Sequence, residues 1–144
     1  PSMIVSKNGV IAEFRGKKDS GVLHAMHLNM FNQPLIGLQT WDVLQVVNWL
    51  ESFGHEKVHI VGKGQGAICA TFAALMHGNI QEVTLLNALT SYSDIAESSD
   101  FKWHPYVFIP DVLLYFDLPD CYRVLKKKNL QILKPWDARF MVGP

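Results

Sequence analysis

Three glycines at alternate positions, Gly62, Gly64 and Gly66, punctuate the stretch Val58-His59-Ile60-Val61-Gly62-Lys63-Gly64-Gln65-Gly66-Ala67. The short apolar run before them has the composition of a strand bounded by glycine. The Ala-rich run after them favours a helix. Glycine at the junction permits a backbone bend and a close helix–strand approach that a side chain would block. A strand that feeds directly into a helix is half of a parallel crossover unit. The rest of the chain supplies the partners: strands are expected over residues 57–61, 82–87 and 130–133, and helices over 41–53 and 65–77. Two short helices should open at Pro110 and Pro119, the second running to about Lys128, since proline suits the first helical position. The strands lack clean alternation, which indicates a parallel sheet covered on both faces. The expected fold class is therefore α/β: three-layer αβα, with a mainly parallel sheet of about four or five strands, in one domain spanning 1–144.

Local signals fill in this frame. Thr40 is expected to cap the helix over 41–53, with Asp42 in its first turn and Val43, Val46, Val47 and Leu50 on one face. Gly54 should close it. Residues 15–40 read as mostly irregular. At the start, Met3-Ile4-Val5, Lys7-Asn8-Gly9 and Val10-Ile11-Ala12-Glu13-Phe14 predict a hairpin, because Asn-Gly between apolar runs sets a tight turn. Residues 88–106 read as loop-rich, with a helical turn over 94–97.

Composition excludes several classes. Lys plus Arg and Asp plus Glu both number 13 among 144 residues, for a formal net charge of zero. No basic stripe argues for nucleic acid; Lys126-Lys127-Lys128 reads as a solvated helix end that complements the dipole. No apolar run reaches the ~18 residues of a membrane span, and no signal peptide opens the chain. Cys69 and Cys121 are too few for a disulfide framework, and Cys69 reads as a buried free thiol. The first residue is Pro rather than Met, which suggests a processed piece.

The bend at 62–66 admits three readings. It fits a nucleophile elbow, G-x-S-x-G, in which a serine sits on a strained strand-to-helix turn. Gly64 then occupies the serine position with no side chain to attack, while the backbone N–H of Gln65 still points to where an oxyanion would form. It also fits a dinucleotide fingerprint through Gly62, Gly64 and Ala67, but the acid wanted near the end of the next strand is Asn87. The third reading is packing alone, with glycines that let the helix lie close to the strand.

Other segments share a pattern. Val10-Ile11-Ala12-Glu13-Phe14-Arg15-Gly16 resembles the strand and Arg-Gly turn before the first long crossover of α/β-hydrolase esterases. Gly37-Leu38-Gln39-Thr40-Trp41-Asp42-Val43-Leu44 is similar to the start of their helix before the elbow, as in acetyl xylan esterase and dienelactone hydrolase relatives. Val107 to Leu113 and Phe116 to Asp120 resemble their lid-side helices. Leu130-Gln131-Ile132-Leu133-Lys134-Pro135-Trp136-Asp137-Ala138 resembles their penultimate strand and the turn that bears the triad acid. The resemblance covers roughly residues 10–140. It implies an ancestral carboxylester hydrolase acting on acylated carbohydrate or another small ester, with Asp137 in the acid position and no cofactor. The family's histidine follows one more strand and helix, beyond Pro144. A family strand between those matching 10–14 and 57–61 is also missing. The chain is thus expected to be a fragment of a larger hydrolase-like protein or a reduced member, and non-catalytic by the family's mechanism.

A substitute triad would need a nucleophile, a base and an orienting acid within hydrogen-bond reach. Of His24, His27, His55, His59, His77 and His104, only His104 lies in the loop region near the functional edge, where Ser91 or Ser93 approach it; His59 and His77 read as structural. His24 and His27 have i, i+3 spacing, but no Cys or acid nearby completes a zinc site. Trp41, Trp103, Tyr106 and Trp136 are candidates to line a pocket, and Trp49 reads as core. A sheet shortened by lost strands exposes an edge, which predicts a homo-oligomer paired through it. A nucleotide- or dinucleotide-binding module and a protein-interaction domain stay open as alternatives.

Overall fold

The computed structural model describes residues 20–142, so the predicted hairpin through Phe14 and the Arg15-Gly16 turn lie outside the described residues. Five helices and three strands follow in the order α1 (Ser20–Met30), α2 (Leu35–Ser52), β1 (Val58–Lys63), α3 (Gln65–Met76), β2 (Ile80–Leu86), α4 (Tyr92–Glu97), α5 (Leu118–Leu125) and β3 (Leu130–Leu133). Short 3-10 turns over Pro105–Val107, Val112–Leu114 and Lys126–Lys128 link the later elements. The strands form an all-parallel sheet in the order β1-β2-β3 with helices packed on it, an α/β arrangement consistent with the three-layer reading. Among the described residues the sheet has three strands rather than four or five, and β1 and β3 are its edges.

α3 organises the packing. Every residue from Ala67 to Ala74 is buried, as expected for a helix apolar on all sides. Ala67, Ala70, Ala73 and Ala74 meet Val83, Leu85 and Ile80 of the sheet, joined by Val47 of α2 and Leu125 of α5. Ile68, Cys69 and Phe72 on its other side enter a second cluster with Ile36, Leu89, Tyr92, Trp103, Val107 and Leu118. The small side chains towards the sheet set the close approach, and the larger ones fill the outer layer. The C-terminal end of α3 is capped from a distance: Lys128 Nζ donates to the carbonyls of Ala74 and His77, 2.6 Å each. Lys128 thus serves a neighbouring helix's unpaired carbonyls, where a cation is favoured.

Several local expectations are corrected. Within the stretch 15–40 that reads as mostly irregular, the described residues 20–40 instead hold α1 and the first turns of α2. α2 begins at Leu35, six residues before the expected start, with Pro34 as its N-cap. Thr40 is therefore no cap; its hydroxyl donates to the Ile36 carbonyl one turn back, 2.7 Å away, an alternative open to threonine inside a helix. Asp42 sits mid-helix for the same reason. Gly54 does close α2, at φ +87°. Its N–H donates to Glu51 O and that of His55 to Leu50 O, the paired bonds of a Schellman ending. Pro110 precedes a 3-10 turn whose N-cap is Asp111, whereas Pro119 lies in the first turn of α5 as expected. Trp49 is exposed rather than core. Both cysteines are free and buried.

Candidate functional site

All three strands run parallel, so their carboxyl ends share one edge, where ligand sites form in such sheets. The bend leaves that edge from β1. Gly62 pairs with Leu85 and Lys63 with Leu86, and the Gly64 N–H donates to Leu86 O at 2.9 Å, which ties the bend to β2. Gly64 is the N-cap of α3 at φ 56°, ψ −123°, a conformation that side-chain-bearing residues rarely adopt. A serine held here would be strained, whereas glycine adopts these angles freely. A Cβ at Gly64 would meet nothing within 4 Å, so the site is open above the bend. At Gly62, by contrast, a Cβ would lie 2.6 Å from Ala67 Cα and from Gly66 O. Gly66 carries no such constraint, so close strand–helix approach depends on Gly62 alone of the flanking pair.

Gln65 opens α3, and its N–H belongs to the first-turn amides that have no partner within a helix. Its side chain folds back: Nε2 donates to Gln39 Oε1 at 2.9 Å. The same oxygen accepts the Cys69 thiol at 3.7 Å. Cys69 is the nucleophilic side chain one turn below the bend, and burial pushes its pKa up to about 12, against weaker lowering by Thr40 and its own backbone. It remains a thiol at neutral pH, and the thiolate is the reactive form.

The other sequence candidates are bound into three separate networks. Asp137 lies beyond β3 at the same edge, but its Oδ1 accepts the N–H groups of Arg139 and Met141, 2.8 Å each. Its carbonyl accepts the Trp103 indole N–H at 2.8 Å, and Trp103 packs edge to face on Trp136 and Phe140, which meet each other at a tilt, around this turn. His104 is exposed; its Nδ1 accepts the Tyr106 N–H at 3.3 Å, and its ring lies 3.9 Å from the Tyr106 ring. Desolvation lowers the His104 pKa, which favours the neutral ring that this acceptor role needs. Ser91 donates its hydroxyl to Asp117 Oδ2 at 2.5 Å and accepts the Asp94 N–H as the N-cap of α4. Among the described residues no hydrogen bond joins His104 to Asp137 or to a serine.

The structure also shows what the sequence did not single out. Asp117 accepts the Ser91 hydroxyl and the N–H groups of Tyr92 and Ser93 at the start of α4, and also the Leu118 N–H as the N-cap of its own helix, α5. One carboxylate thus serves two helix N-termini. Only its place before Pro119 could have marked it, as an N-cap signal.

The remaining readings find less support. Asn87, where a ribose-binding acid would stand, donates its side-chain amide to Lys134 O at 3.0 Å and supplies no carboxylate. His24 and His27 share α1, and among the described residues no group of three or more His, Cys, Asp or Glu side chains gathers as a metal site. No described helix is long and apolar enough to cross a membrane. An open hollow of about 330 Å³ lies among Tyr92, Ile95, Phe101, Phe108 and Ile109, none of them a candidate catalytic residue. Comparison with protein-family models, curated proteins and solved structures found no match.

Proposed function

We propose that this chain is an α/β-hydrolase-like domain of the carboxylester hydrolase type that has lost its catalytic apparatus and acts as a non-catalytic module. One observation supports the reading: the strand-to-helix bend takes φ 56°, ψ −123° at Gly64 with open space above it, the backbone a nucleophile elbow would need, but with no side chain to attack. The oxyanion-type donor, the Gln65 N–H, is retained at the head of α3. Neither Cys69 below the bend nor Ser91 beyond β2 substitutes, because one is a protonated buried thiol and the other is committed to Asp117. Removing a triad nucleophile leaves only binding and oxyanion stabilisation, a small residue of the full rate. A small ester or acylated carbohydrate is the ligand class this ancestry implies.

A fluorophosphonate probe and p-nitrophenyl acetate test it on the purified chain. We expect no stoichiometric labelling and no turnover above the buffer rate. Labelling of one serine per chain together with turnover would reject the non-catalytic reading. The dinucleotide alternative lacks its acid at Asn87, and no other observation raises it.

A further inference from the structure

We infer that the outer face of α2 is a self-association surface, on which a second copy of this chain lays its own α2 antiparallel about a two-fold axis near Gln45. The inference does not depend on the hydrolase reading. α2 is 18 residues long, and Asp42 and Glu51 are its charged residues. Its inner face is spent on the core through Ile36 and Val47. Its outer face carries Leu38, Trp41, Val46, Trp49 and, at the C-cap, Phe53. At 3.6 residues per turn these five fall within an arc of roughly 140° opposite Val47. Trp41 is 62% exposed, Trp49 59% and Phe53 66%, and the last two rings pack edge to face with centroids 4.9 Å apart. A helix apolar on both sides is normally buried on both sides, and an exposed apolar patch of this kind marks an interaction site.

Self-complementarity favours a second copy over a foreign helix. In the antiparallel register Trp41 of one copy meets Trp49 of the other, Leu38 meets Phe53, and Gln45 lies beside its counterpart. Each large ring faces an apolar side chain without a change of backbone. Glu51 is drawn aside to His77, 3.7 Å away. Asp42 falls within the same arc; its two copies would lie about 9 Å apart by helical rise, and their mutual repulsion is a cost that the apolar contact must exceed. The zero formal charge adds no long-range repulsion. Fully covered aromatic side chains bury about 150–250 Å² each. At the observed exposures the five residues offer roughly 500 Å² per copy, so the pair reaches about 1,000 Å², the lower bound for a specific interface.

Sedimentation of the full chain from 1 to 100 µM tests this. The expected result is a reversible dimer with a micromolar Kd. Trp49→Lys should raise that Kd at least about a hundredfold, because a central aromatic is lost from both copies at once, while Val61→Lys on β1, an edge strand among the described residues, should leave it unchanged. Gln45→Cys should form an intermolecular disulfide on mild oxidation, since Cα atoms facing across the axis would fall within the ~7 Å limit and the native cysteines are buried. Circular dichroism checks that each variant folds, and Phe53→Glu repeats the test at the other end of the stripe. A monomer at 100 µM would overturn the inference. So would a dimer that survives Trp49→Lys and Phe53→Glu, one that dissolves only with Val61→Lys, or a Gln45→Cys chain that does not cross-link.

Discussion

Replacing Gly62 with alanine is expected to destabilise the protein by about 3 kcal/mol or more, at the upper end of what overpacking usually costs. The reason is contact with backbone rather than with a side chain. The new Cβ would sit 2.6 Å from Ala67 Cα, 2.6 Å from Gly66 O and 2.9 Å from Ala67 N. None of these atoms can rotate away, so β1 and the first turn of α3 must separate. That separation would loosen the cluster in which Ala67 and Ala70 meet Val83 and Leu85. The neighbouring glycines provide the control. Gly66→Ala meets nothing within 4 Å and should be neutral or slightly stabilising, since alanine is the better helix former by about 1 kcal/mol. Chemical denaturation of the two variants side by side checks the prediction; equal stabilities would show that strand and helix are not in the contact described.

Asp117→Ala should cost about 2–4 kcal/mol, because it removes the cap of α5 and the acceptor for the first amides of α4, at about 0.5–2 kcal/mol per cap. It would also strip the Ser91 hydroxyl of its partner. The carboxylate should leave a pH signature. Desolvation raises its pKa, but hydrogen bonds from Ser91, from the Tyr92 and Leu118 amides and from Ser93 outweigh it, and the net shift is downward from 3.8. A group whose folded pKa is depressed contributes stability that is complete above its unfolded value and is lost as pH falls through the folded one. Wild type should therefore begin to lose this contribution as pH drops towards 3.8 and lose the rest below it. Asp117→Asn should lack that component of the acid transition. Thermal melts from pH 6 to 2.5 read both effects; parallel curves for wild type and Asp117→Asn would show that the carboxylate's charge is not what the two helices use.

The elements with a strong local signal were legible in the sequence. β3 spans Leu130–Leu133 as expected, and α3 starts at Gln65 directly after the glycine bend. Both are bounded by residues with one structural preference, Pro135 in one case and Gly64 in the other. The start of α2 was hidden because two signals competed. Thr40 reads as a cap, yet its hydroxyl bonds inside the helix, and the true entry at Pro34 looks like loop. α1 carries little periodic signal, because Ser20–Met30 mixes His24, His27 and Asn29 among its apolar residues with little contrast between faces. Size and apolarity suggest burial for Trp49, whereas its position on the face of α2 away from the core decides otherwise. At the site, the missing side chain at Gly64 was plain from five residues. The dispersal of Ser91, His104 and Asp137 into separate networks was not, since hydrogen-bond partners 26 residues apart, as in Ser91 and Asp117, leave no periodic trace.

These networks bear directly on chemistry. A triad works because its base is already aligned on the nucleophile, and good alignment is worth several powers of ten in rate. Here the ring of His104 is held by Tyr106, and the carboxylate of Asp137 by its own turn. Placing an oxygen at the bend therefore supplies one part of three. Gly64→Ser is the most direct measurement: its Cβ has room, and holding a serine at positive φ should cost only about 1–3 kcal/mol. The variant should fold, resist fluorophosphonate labelling and hydrolyse p-nitrophenyl acetate within about tenfold of wild type, whereas an assembled triad is worth about 10⁶ in kcat. Stoichiometric labelling of Gly64→Ser with turnover a thousandfold or more above wild type would show that a base already stands over the bend, and would contradict the account.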